Sequence, residues 1–146
     1  MKKTIIVLSF FLFTHVATTK AQVPDTLAYL QNIVNNKSTY VGMPFSTLMN
    51  NLQIQIKFFS PFPSLPYDKT KETSTDFGFY LSTSNEDYYL TYPRLEIYWQ
   101  TPLNANQSYI IWNNNNGGGW AANAIAFYNS AIIADIKIRS GTVAVE

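Results

Sequence analysis

The sequence predicts an α+β domain in which two N-terminal helices pack on one face of an antiparallel sheet of four to five strands, with a short helix before the last strand. Apolar residues first recur at helical spacing, through Leu27, Leu30 and Val34 and again through Phe45, Leu48, Met49 and Leu52. The period then changes to two and holds through several segments. A last helical stripe, Ala121, Ala124, Ile125 and Tyr128, precedes a final alternating segment. Sequential strands usually pair, so a meander is the simplest topology.

Taken in order, Asp25 is a suitable N-cap for a helix over 26–36, which the polar run Asn35-Asn36-Lys37-Ser38 ends. Gly42-Met43-Pro44 is a turn, and Pro44 suits the first turn of a helix over 44–51, where its missing N–H is not needed. Ile54, Ile56 and Phe58 alternate with Gln53, Gln55 and Lys57, which predicts a strand over 53–59. Three prolines, Pro61, Pro63 and Pro66, then favour an extended loop, which the polar residues 68–76 prolong. Phe77, Phe79 and Leu81 predict a second strand, 82–87 a turn, and 88–92 a short strand or the run-in to the next. Leu95, Ile97 and Trp99 predict a strand over 94–100, followed by a loop over 101–107 and an apolar strand over 108–112. The tract Asn113–Gly119 is a connector into a helix over 120–128, with a strand as the alternative. Ala134, Ile136 and Ile138 predict the last strand, 131–139.

The first 21 residues have the pattern of a signal peptide. Lys2 and Lys3 precede an apolar run from Thr4 to Phe13, and small residues at Thr19 and Ala21 suit cleavage after Ala21. Residues 22–146 are then expected to form one exported domain, periplasmic or secreted. Seven basic residues remain in it against nine acidic ones, a net charge of −2. That balance argues against nucleic acid or an anionic membrane as partner. There is no cysteine for a lipoprotein anchor or a disulfide, and the single histidine, His15, lies in the leader. Residues 22–146 thus lack the side chains of Ser-His-Asp and Cys-His catalysis, and of nearly all zinc, copper and haem sites. No cofactor or metal is expected. Carboxylate, Lys or Tyr chemistry, an oxygen-ligand cation site, or binding without turnover remain.

Two short helices before an antiparallel sheet, with Gly42-Met43-Pro44-Phe45 opening the second helix, resemble the small periplasmic domains of the SmpA/OmlA type and the repeat unit of β-lactamase-inhibitor proteins. The resemblance covers the topology and the stretch Tyr40 to Leu52; the chain departs from both patterns in having no cysteine. It implies a non-catalytic protein-interaction module.

Three kinds of candidate site follow from the residues. Trp112 and Trp120 flank the Asn/Gly tract, and their flat rings with the amides of Asn114 and Asn115 suit a glycan surface. The tract matches neither phosphate-binding glycine pattern. Tyrosines on the polar side of strands, among them Tyr80, Tyr98 and Tyr109, suit an aromatic recognition face for a protein or a glycan. Glu96 and Asp135 alternate with apolar residues and should face away from the helices, either as a carboxylate pair of glycosidase type or as solvated side chains paired with Lys57, Lys137 or Arg139. Asn85-Glu86-Asp87 offers oxygen ligands but lacks the EF-hand spacing.

Overall fold

The computed structural model describes residues 25–63, 65–81 and 92–139. Within them the fold is α+β, with four strands in the order β1-β2-β3-β4, every neighbouring pair antiparallel. Helix α1 (Thr26–Asn35) starts where Asp25 accepts a 2.9 Å hydrogen bond from the Ala28 N–H. Helix α2 (Phe45–Asn51) starts one residue after Pro44. The first buries Leu30 and Ile33 while Leu27 of its stripe stays exposed, and the second buries Phe45 and Leu48.

The strands are β1 (Phe58–Phe62), β2 (Lys71–Gly78), β3 (Arg94–Asn104) and β4 (Ile133–Arg139). Helix α3 (Ala105–Asn114) follows β3 directly, and helix α4 (Ala122–Tyr128) precedes β4. Phe59, Phe77, Leu95, Ile97 and Ile136 line the sheet face under the helices. Aromatic rings bind the two layers. Phe45 of α2 stacks on Phe77 at 4.5 Å, and Tyr128 of α4 stacks on Trp99 at 5.6 Å.

Four elements differ from the sequence expectation. Residues 105–114 are a helix, where a loop and a strand over 108–112 were expected. Asn104 caps it, accepting from the Gln107 N–H at 3.1 Å. Its buried positions are Ala105 and Ser108, too small and polar to print an apolar period, whereas Tyr109 and Ile110 point outward. Secondly, β2 occupies most of the expected polar loop 68–76 and ends at Gly78, short of Leu81. Its Glu72, Ser74, Thr75 and Asp76 are buried polar residues, so hydrophobic alternation could not reveal it. Thirdly, β1 begins at Phe58, not 53, and runs through Pro61, which an edge strand tolerates. Ile54 and Ile56 do alternate inward, but ahead of the strand, with Ile54 in a bend. Finally, β3 continues to Asn104 across an irregularity in which its pairing with β2 jumps from Leu103 to Tyr98. The helices are therefore not all N-terminal. The expected turn 82–87 and nearly all of segment 88–92 lie outside the described residues.

The Asn/Gly tract covers the outer edge of β1. The Phe59 N–H donates to the Gly118 carbonyl at 2.8 Å, and the Trp120 N–H donates to the Lys57 carbonyl at 3.0 Å. Gly118 makes this approach possible. Its φ is +99°, and a Cβ there would stand 2.2 Å from the Phe59 carbonyl oxygen. The tract is thus a connector, as expected, and also a guard against open-edge pairing.

Candidate functional site

The register and the alternation of strand side chains define the sheet face turned away from the helical core. Ser60, Asp76, Glu96 and Lys137 form one row across the four strands. Phe62, Ser74, Tyr98 and Asp135 form the next, and Phe58, Gly78, Arg94 and Arg139 the row on the other side. Beyond Gly78 and Arg94, Tyr80 and Tyr92 stack ring on ring at 4.2 Å.

Two carboxylates opposite each other on neighbouring strands repel. Asp76 and Glu96 stand in that relation, and two arginines compensate them. Arg94 lies 3.2 Å from Asp76, and Arg139 reaches both acids, at 3.5 Å and 3.4 Å. Ser74 donates a hydrogen bond to Glu96 at 3.2 Å. The acids lie underneath: Asp76 is 0% exposed, whereas the Arg139 side chain above it is 43% exposed. Burial pushes the Asp76 carboxyl up to about 6, against the pull of Arg94 and Arg139, and the nearby Glu96 adds to the rise.

The exposed cations rest on rings. The Arg139 guanidinium lies 4.7 Å from the centre of the Phe62 ring, and the Lys137 ammonium 4.4 Å from that of Tyr98. Solvent thus meets cations and aromatic rings on this face, with the balancing acids beneath.

A second polar cluster sits inside the core. Glu72 is 0% exposed, and its Oε1 accepts from the hydroxyls of Thr75 and Tyr128, the latter at 2.9 Å. Thr75 in turn accepts from the Trp99 indole N–H at 2.9 Å. Burial raises the Glu72 carboxyl above its usual range, opposed by hydrogen bonds from Ser108, Thr75, Tyr128 and Trp99. Burial also raises the Tyr128 hydroxyl, and the nearby Glu72 carboxyl adds to it. Glu72, Thr75 and Tyr128 are all fully buried, and the geometry suits a structural hub joining β2, β3 and α4.

The candidate residues named from sequence are not brought together. Trp120 belongs to the core layer, with its ring 5.4 Å from Phe77 and 5.9 Å from Phe59. Tyr98 lies on the opposite side of the sheet. Trp112 is half-buried on α3, stacked at 5.8 Å on Tyr109, which projects from that helix and not from a strand. Asn115 is held in a reciprocal amide pair with Asn123, at 2.8 and 3.0 Å, while Asn114 is exposed at the end of α3. Tyr80 is exposed beside Tyr92. Glu96 and Asp135 do share the outer face, as diagonal neighbours on adjacent strands. Each is engaged by a cation, Glu96 by Arg139 and Asp135 by Lys37 at 2.5 Å. The Lys37 hydrogen bond holds the Asp135 carboxyl below its usual range.

The sequence reading missed Asp76, Arg94 and Phe62, while Arg139, one of the cations it offered as a partner for Glu96 and Asp135, does pair with Glu96. The last two strands carried a usable signal, since Arg94, Glu96 and Tyr98 alternate with apolar residues, as do Lys137 and Arg139. Asp76 and Phe62 fell in the stretch taken for a loop. Among the described residues no group of three His, Cys, Asp or Glu is placed to hold a metal ion. A shallow groove of about 160 Å³ lies at the start of α3, lined by Pro61, Pro63, Lys69, Ala105, Asn106 and Tyr109. No family model, curated protein or solved structure matches the chain.

Proposed function

We propose that this chain is an exported, non-catalytic binding module of the cell envelope that engages a protein through the outer face of its sheet. The observation that carries this reading is the layering of that face, with Arg139 and Lys137 above, seated on Phe62 and Tyr98, and the acids below. Rigid aromatic rings and arginine are the side chains that dominate protein recognition surfaces. The chemistry-bearing residues supply each other's partners here, which leaves the surface suited to contact.

A photo-crosslinking amino acid at Tyr98, in the producing cell, tests this. The expected result is a discrete covalent adduct with one envelope protein, absent when the crosslinker replaces Tyr67, which is 86% exposed in the loop before β2. Equal capture at both positions, or none at Tyr98, would refute the reading.

A second reading, carbohydrate binding, has a specific support in the groove beside α3. Tyr109 presents a ring backed by Trp112, with Asn106 and Lys69 as polar neighbours. Trp120, packed against Phe77, would take no part. Quenching of tryptophan fluorescence by a polysaccharide, lost in Tyr109→Ala, would favour it over the protein partner.

A further inference from the structure

Lys137 and Arg139 are two residues apart on β4, so both side chains rise from the same face about 6.8 Å apart along the strand. That is also the spacing of alternate side chains in any extended segment. The two cations are unequal in surroundings but alike in posture, each held above a ring. Arg139 is shared between Asp76 and Glu96 at 3.5 and 3.4 Å, longer than the roughly 2.7–2.9 Å of a full charge-assisted hydrogen bond. Its guanidinium keeps donor capacity that neither internal acid uses fully. Both acids are buried, so they neutralise the cluster from below without occupying its outer surface. On this face Asp135 is the remaining described carboxylate, and Lys37 engages it.

From this we infer that the outer sheet face docks an extended, acidic protein segment whose alternate carboxylates meet Arg139 and Lys137, its apolar atoms lying on Phe62 and Tyr98. The inference rests on the sheet-face reading above and adds the chemistry of the partner. An extended peptide is favoured over an acidic polysaccharide because the two cations stand at the spacing of alternate side chains in an extended chain. The carboxylates would approach the exposed edge of the guanidinium and the ammonium, and binding would weaken with salt.

The test uses three synthetic dodecapeptides, alternating threonine with glutamate, with glutamine or with lysine, and alginate as a polyuronate control. Binding to the full chain is followed by fluorescence anisotropy and by amide shifts in two-dimensional NMR. The glutamate peptide is expected to bind at least about tenfold more tightly than the glutamine peptide, with shifts centred on Tyr98, Lys137 and Arg139. Arg139→Gln with Lys137→Gln should remove that advantage, and a salt increase to about 0.5 M should do the same in the native chain. Equal binding of the glutamate and glutamine peptides, preference for alginate, or shifts centred on Lys69 would overturn the inference. The crosslink at Tyr98 separates the two failures. If it forms while the glutamate peptide shows no preference, the face still binds protein but its partner is not acidic. If it does not form, the sheet-face reading fails with it.

Discussion

The Asp76 carboxyl should make this protein less stable as pH rises from about 4 to 6, and Asp76→Asn should abolish that part of the loss. Its folded value is about 6 against an ordinary 3.8. A folded value raised above the unfolded one means that the folded state holds the proton more tightly. The stability is therefore fully present below the unfolded value and is lost as pH climbs through the folded one. A rise of roughly two units corresponds to about 3 kcal/mol. Solvent reaches the cluster beside Arg139, whose side chain is 43% exposed, and screening there reduces the expected loss to about 2 kcal/mol. The assay is urea denaturation of the native chain and of Asp76→Asn at a series of pH values. Glu72, also raised, contributes a slope of the same sign in both proteins, so the difference between them isolates Asp76. The Asn variant should be about 2 kcal/mol the more stable at pH 7, because the ionised aspartate is costlier to bury than the neutral amide. Parallel pH profiles, or an Asn variant weaker than the native chain at pH 7, would show that Arg94 and Arg139 outweigh burial and that the reasoning about this cluster is wrong.

Other perturbations probe other parts of the fold. Gly118→Ala should cost about 2–4 kcal/mol in chemical denaturation, because the new methyl meets the Phe59 carbonyl and the backbone is left-handed. Glu72→Ala should cost about 2–4 kcal/mol by stranding the hydroxyls of Thr75 and Tyr128, whereas Glu72→Gln should cost less than about 1 kcal/mol and flatten the remaining pH dependence above the ordinary carboxylate range. Trp120→Ala should cost about 3–5 kcal/mol, while Tyr109→Ala on the exposed side of α3 should change stability by no more than about 0.5 kcal/mol. Lys37→Met, which breaks an ion pair with both partners more than a third exposed, should cost less than about 1 kcal/mol.

Much of the fold could be read where burial and hydrophobicity coincide. The stripe of α2 and the alternation of Leu95, Ile97 and Trp99 have that property; α1 and α4 also lie where the periodicity places them, although Leu27, Ala121 and Ile125 of their stripes are exposed. The reading failed where burial is polar. β2 buries Glu72, Ser74, Thr75 and Asp76 in succession, a composition that looks like a solvated loop until its partners are known. Those partners, Tyr128, Arg94, Glu96 and Arg139, are remote in sequence, so no local pattern announces them. Helix α3 failed for the converse reason: Ile110 looks like core and is exposed, while Ser108 looks exposed and is buried. The site suffered likewise. Tyr98 was legible as an outward residue, but the ring that seats Arg139 is Phe62, beyond a proline where strand signals are discounted.

The buried charges also bear on how β2 finds its place. With Ser74, Thr75 and Asp76 in a row, the hydrophobic pattern of β2 specifies its register against β3 only through Phe77. A slip of one residue would turn Asp76 toward Leu95 and Ile97 and bring Phe77 out among the arginines. An unpaired carboxylate under the helices is far costlier than a misplaced aromatic, so Asp76 opposes the slipped pairing more strongly than any apolar contact favours the native one. Arg94 and Arg139 complete the discrimination, since both reach Asp76 only in the native register. The ionic cluster thus contributes less to stability than to uniqueness of pairing. The arrangement that fixes β2 also holds Arg139 over Phe62 with its outer edge toward solvent, so strand registration and the shape of the outer sheet face have one physical origin.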